Sequence, residues 1–233
     1  MPVSTPGGNS QAIIKAFVFD LDGTLVDTLD DIASVINAFL RSRSWPEHDR
    51  DAYRLLVGRG LRALIRDAVP PSEAHRVDEF YAEVFEVYDS MGIGNSRPYP
   101  VAIDALRTLS AAGAGLAVVS NKPDRITQTF VAGLFGGLRF ALVRGGLDGV
   151  PSKPDPASAL EAARACGVTP AECAFVGDSN IDMQTARAAG MLAVGAVWGF
   201  RGADELLQAG AMVLADSMAD IPPLFGRSVA RIV

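Results

Sequence analysis

The residues best suited to chemistry are two carboxylates set where local structure needs only one. The run "FVFDLDGTLVDT", Phe17 to Thr28, closes an apolar stretch with Asp20 and Asp22 and turns on Gly23. A turn uses a single Asx side chain followed by glycine, which accounts for Asp22 and Gly23 and leaves Asp20 over. A charge at the end of a buried strand is costly, so the surplus aspartate asks for a chemical reason. Farther along, "SNK" (Ser120 to Lys122), "PSKPDP" with Lys153, and "GDSNID" with Asp178 and Asp182 each follow another apolar run.

Carboxylates, a hydroxyl and a lysine in this arrangement suit phosphoryl transfer. An aspartate that attacks phosphorus forms an aspartyl-phosphate and splits one hard displacement into two easier ones. Its charge and that of the phosphate must be neutralised, a task for Mg2+ held by carboxylate and backbone oxygens. Lys153 adds a point charge, and Ser120 a donor to the equatorial oxygens. Asp22 is placed to protonate the leaving oxygen and then to deprotonate water. Each residue also has a structural reading. Asp22 can serve an Asx-turn, Asp182 a helix N-terminus, Ser120 and Asn121 a helix cap, and Lys153 an exposed loop.

The elements that must position these groups are legible as short apolar runs. Buried strands are expected at 15–19, 115–120, 140–145, 173–177, 192–197 and 211–215, and helices at 100–112, 123–135, 156–166, 181–189 and 203–208. Strand–helix alternation with continuous hydrophobicity predicts an α/β fold, a parallel sheet covered on both faces. Ligands then bind at the carboxyl ends of the strands, where the residues above fall. From about Leu29 to Arg97 no strand pattern appears; helical spacing and more charged and aromatic residues predict an inserted helical domain. Within it, "VGRG" (57–60) breaks two helical patterns. Arg59, between two glycines that turn tightly, is the expected partner of a substrate carboxylate, although a solvated loop arginine explains it equally well. Arg62, Arg66 and Arg201 read as surface residues.

The 233 residues suit one domain with an insertion; 49% are hydrophobic and the net charge is −6. No basic run offers a footprint for nucleic acid or an anionic membrane. Cys166 and Cys173 match neither a disulfide framework nor a metal-ligand spacing. Residues 1–12 read as a disordered tail rather than a signal peptide, so a soluble cytoplasmic protein, monomer or homodimer, is expected.

The segments "DLDGTLVDT", "VVSNK", "KPDP" and "GDSNIDMQTARAAG" resemble the four ordered motifs of the haloacid dehalogenase-like superfamily, over about Lys15 to Phe225. The resemblance implies a Rossmann-like core, 13–28 and 98–233, with an all-helical cap, 29–97, inserted after the first motif. It implies Asp20 as nucleophile, Asp22 as general acid/base, Ser120 as phosphate donor and Lys153 as the neutralising lysine. Asp20, Asp22, Asp178 and Asp182 would form the Mg2+ site, with Asp182 in a supporting place, and Thr24, Arg59 and Asn121 would contact substrate. Asp22 separates the chain from members that displace halide from carbon. "LVGRGLRALI" and "WGFRGADELLQAGAMVLADSMADI" look like bacterial phosphoglycolate phosphatases, so a small phosphorylated metabolite is the implied substrate. Phosphatases for pyrophosphate, sugar phosphates or nucleotides share most of these features, and sugar-phosphate mutases share the first motif. A catalytically idle binding protein is the alternative of another class, disfavoured because no motif position is degraded.

Overall fold

The computed structural model describes residues 12–228. The tail expected at 1–12 lies outside them except for Ala12. The order of elements is β1 (Ala16–Phe19), β2 (Val26–Asp27), α1 (Leu29–Ser42), α2 (Tyr53–Leu56), α3 (Leu61–Ala68), α4 (Val77–Met91), β3 (Arg97–Pro98) and α5 (Ala102–Ala111). Then follow β4 (Gly115–Pro123), α6 (Asp124–Phe135), β5 (Leu142–Gly146), α7 (Ala157–Ala165), β6 (Cys173–Gly177), α8 (Asn180–Ala189), β7 (Leu192–Ala196), α9 (Ala203–Ala209) and β8 (Val213–Ala215).

Six strands form one parallel sheet in the order β5-β4-β1-β6-β7-β8. Both faces of β1 are apolar, as its uninterrupted hydrophobic run requires. Phe17 and Phe19 join a core with Leu106 and Phe130, while Ala16 and Val18 meet the small residues Ala159, Ala162 and Ala186 on the other face. The chain moves outward from β1 in both directions, through β4 to one side and β6 to the other. The switch in strand order therefore falls beside β1, the place where an open sheet forms a ligand crevice.

Two details differ from the sequence expectation. Strand β4 extends past Ser120 to Pro123, with its pairing to β5 shifted between Val119 and Pro123. Ser120, Asn121 and Lys122 thus lie on an irregular strand end rather than in a loop beyond it, and such an irregularity re-aims side chains. The second difference is an antiparallel ribbon, Val26 opposite Pro98 and Asp27 opposite Arg97. Two-residue strands leave no periodic signature, yet this ribbon is the stem through which the chain leaves the sheet and returns.

Between the stem strands the segment is helical. Leu29, Ile32, Ile36, Leu61, Leu64, Phe80 and Tyr88 belong to the same apolar cluster as Phe17 and Phe130 of the sheet layer. The return is tied down by Asp31, whose carboxylate accepts from the backbone N–H of Asn95 (3.1 Å) and Ser96 (2.7 Å) and from the Ser96 hydroxyl (2.5 Å). Asp31→Ala would leave these donors unpaired in a buried place. A loss of about 2–3 kcal/mol is expected, read by urea denaturation at pH 7; a loss under ~0.5 kcal/mol would contradict it. No helix among the described residues is long and apolar enough to cross a membrane.

Candidate active site

Strand β1 ends at Phe19, held in register by the Asp20 N–H donating to Val176 O at 2.9 Å. This places Asp20 at the carboxyl edge beside Asp178, the residue just beyond β6. The turn that follows brings the backbone of Gly23 onto Asp178. Gly23 has φ +78°, and a Cβ there would lie 2.2 Å from the Asp178 Oδ2, so conformation and space both require glycine. Asp178 is clamped by Thr24, whose hydroxyl donates to Oδ1 at 3.1 Å, and by the Phe200 N–H, which donates to Oδ2 at 2.7 Å.

Asp182 sits in the first turn of α8 and accepts at Oδ2 from the Ser179 N–H (3.1 Å) and hydroxyl (2.6 Å), closing a capping box. Its Oδ1 accepts from Lys153 at 2.7 Å, and Lys153 also lies 2.9 Å from Asp20 Oδ1. The helix-terminus reading of Asp182 holds, and the same carboxylate also aims the lysine. Asp20 Oδ1 is further fixed by the Leu21 N–H at 2.7 Å, whereas Oδ2 has no hydrogen bond among the described residues. One oxygen is anchored and the other is left for chemistry.

The electrostatics follow from this crowding. Burial pushes Asp20 up to about 7; Lys153 pulls it down, but Asp182 and Asp22 push it up again. Burial, then Asp182 and Asp20, hold Asp178 well above the ordinary carboxylate range. Burial alone would lower Lys153, yet Asp182 and Asp20 outweigh it and hold its ammonium above the usual lysine value. Carboxylate oxygens of Asp20, Asp178 and Asp182 lie within 4.8 Å of one another, all three residues buried. An all-oxygen, acid-rich cluster that resists ionisation by itself fits a hard divalent cation.

The sequence-expected residues divide accordingly. Asp20, Ser120, Lys153, Asp178 and Asp182 come together. Asp22, expected in the metal site with Asp20, Asp178 and Asp182, is close, but its carboxylate lies outside the cluster the other three form; its Oδ1 faces Lys122 Nζ at 2.9 Å. Thr24, expected to touch substrate, has its hydroxyl on Asp178. Asn121, expected in the same role, lines a cavity with Asp20 and Ser120 and clasps two loops. Its amide donates to Gly58 O (2.9 Å) and Lys153 O (3.0 Å), and its Oδ1 accepts from the Lys153 N–H (2.9 Å). Arg59 is 53% exposed in its side chain and pairs with Asp67 at 2.6 Å, so the loop glycines do not carry it inward. Arg62 and Arg66 are surface residues as expected, in ion pairs with Asp78 and Asp67. Arg201 is not. Its side chain is only 10% exposed, and Nη2 donates to the carbonyls of Leu55 (3.0 Å) and Val57 (3.3 Å). Arg54 reaches the other way, to Gly199 O at 3.2 Å. The loop after β7 and the α2 segment thus hold each other. Its position after a strand was the available signal.

Between the strand ends and the helical segment lies a partly open cavity of about 30 Å³ lined by Asp20, Asp22, Ser120, Lys122 and Tyr88, with aliphatic side chains and loop glycines beside them. This is room for roughly two water-sized groups.

Comparison with known proteins agrees with this geometry. The model of the haloacid dehalogenase-like hydrolases matches residues 14–190. A phosphoglycolate phosphatase of Xylella fastidiosa (strain Temecula1) is 33% identical over 205 residues, covering 88% of this chain and 89% of that protein. One from Pectobacterium atrosepticum is 31% identical over 226 residues, covering 92% and 94%. The crystal structure of a predicted phosphoglycolate phosphatase from Haemophilus somnus 129PT superposes with a TM-score of 0.80 at 30% identity, covering 93% of this chain and 99% of that one. The chain belongs to the haloacid dehalogenase-like hydrolase family.

Proposed function

We propose that this chain is a Mg2+-dependent phosphatase acting on a small phosphomonoester, 2-phosphoglycolate, through an aspartyl-phosphate on Asp20. The observation that carries the reading is the Asp20 carboxylate, one oxygen pinned by Leu21 N–H and Lys153 and the other without a hydrogen bond among the described residues, on a residue that lines a small cavity. Lys153 and the Ser120 hydroxyl hold the phosphoryl oxygens in line with Asp20 Oδ2. Asp22 gives a proton to the departing oxygen and later takes one from the water that hydrolyses the acyl phosphate. The residues fit a divalent cation held by Asp20 and Asp178 with Asp182 behind them; it would neutralise the charge gathered between nucleophile and phosphate. The names of the relatives favour phosphoglycolate. The inserted helices act as a cap that excludes bulk water from the phosphoryl transfer to Asp20.

The test is phosphate release from 2-phosphoglycolate during a Mg2+ titration of wild type and Asp178→Asn. Wild type should be inactive in excess chelator, and the variant should need about 100-fold more Mg2+, or greater, for half-maximal rate. A wild-type Mg2+ dependence in the variant would remove Asp178 from the metal site. A wild type that releases phosphate faster from pyrophosphate or a sugar phosphate would replace the substrate and leave the mechanism standing.

A further inference from the structure

The core motifs supply partners for a phosphate, but a phosphoglycolate-like substrate carries a second anionic group. Three charged side chains line the cavity among the described residues, and two of them, Asp20 and Asp22, are acids. The third is Lys122, with a side chain only 1% exposed. Its ammonium lies 2.9 Å from Asp22 Oδ1 and donates to the Tyr88 hydroxyl, and it sits 4.4 Å and 4.6 Å from the ring centroids of Tyr88 and Phe130. Tyr88 comes from α4, across the interface with the helical segment. Burial first, then Asp22 and Asp31, hold its phenol well above the usual tyrosine value, so it stays protonated. Because it accepts from Lys122, its own proton is left for another acceptor.

A buried ammonium is costly unless charge-paired. A lysine needed only to balance Asp22 would not have to face the cavity beside a hydroxyl donor from another element. We propose that Lys122 and Tyr88 together bind the carboxylate on the leaving-group side of the substrate, making this pair, rather than Arg59, the determinant of substrate choice. Asp22 is bonded to the same ammonium, so the bound carboxylate is held next to the group that protonates the leaving oxygen. The cap takes part through a neutral hydroxyl, and the cation belongs to the core. This inference rests on the phosphatase reading above and specifies the substrate class: a short phosphomonoester whose leaving group bears a carboxylate.

The test compares kcat/KM for 2-phosphoglycolate and for ethyl phosphate, which lacks the carboxylate, in Mg2+-replete wild type, Lys122→Met and Tyr88→Phe. Wild type should prefer phosphoglycolate. Lys122→Met should lower the ratio of the two values roughly 10- to 100-fold, chiefly through KM, and Tyr88→Phe about 3- to 10-fold. Equal losses on both esters would reduce the pair to a structural role and overturn the inference. A ratio that falls in Arg59→Ala and holds in Lys122→Met would also overturn it, in favour of the loop arginine. If wild type does not distinguish the esters, the phosphoglycolate reading fails first and this inference with it. If wild type does distinguish them while both variants keep its ratio, this inference alone fails. Should Lys122→Met not fold, Tyr88→Phe keeps the ring in place and decides the question by the same ratio.

Discussion

Asp20→Asn is expected to retain the fold and lose turnover, with kcat falling by ~10⁴-fold or more, because an amide oxygen is a poor nucleophile and no acyl phosphate would form. The assay is phosphate release at saturating Mg2+, and activity within tenfold of wild type would refute the assignment. The same substitution has a second, opposite signature. In the metal-free protein Asp20 titrates near 7, well above an unfolded aspartate, chiefly through burial. The folded state therefore holds a proton that the unfolded state has released between about pH 4 and 7. Stability from this group is present below about pH 4 and is lost as pH rises through 7. Asparagine carries no charge at any pH. Relative to wild type, metal-free Asp20→Asn should gain stability as pH rises, by about 1–3 kcal/mol at pH 8 and by little at pH 5. Thermal melts at the two pH values in chelator check this. A gain that is larger at pH 5 would have the wrong sign for a buried ionised nucleophile.

Asp22→Asn differs in kind. The leaving oxygen loses its acid and the hydrolytic water its base, so steady-state kcat should fall about 10²- to 10⁴-fold. Asp20 is still there to be phosphorylated, and an activated ester with a good leaving group needs little acid help. Rapid acid quench with labelled phosphate ester should therefore trap labelled protein in Asp22→Asn, and none in Asp20→Asn. The amide oxygen still accepts from Lys122, so the buried lysine keeps a partner and the protein keeps its fold. Steady-state rates within fivefold of wild type, or no trapped label with an activated ester, would remove Asp22 from the acid/base role.

These two residues illustrate what was legible without coordinates. Asp20 was conspicuous because a turn explains only one carboxylate of "DLDG", and the excess shows within a few residues of chain. The six parallel strands were legible for a related reason. A strand buried on both faces must be hydrophobic throughout, and runs such as "AFVF" and "CAFVG" carry that requirement locally. Sequence order then placed Ser120, Lys153, Asp178 and Asp182 after successive strands, and a parallel sheet brings strand ends to one edge. That geometric consequence assembled the site before any distance was known.

Tertiary structure decided the partnerships, because they join residues far apart in the chain and leave no local periodicity. Lys122 meets Asp22 from the next strand and Tyr88 from the inserted helices. Asn121 donates its amide to the carbonyls of Gly58 and Lys153. Arg201 disappears under the Leu55 and Val57 carbonyls, while Arg59, between two flexible glycines, stays outside on Asp67. Each outcome depends on which neighbour supplies a competing acceptor at hydrogen-bond distance, and only packing determines that. Residue types and order thus determined the fold and the gathering of carboxylates at one sheet edge. The fold decided which polar groups remain free to meet a substrate, since a buried donor or acceptor must first be satisfied by whatever lies beside it.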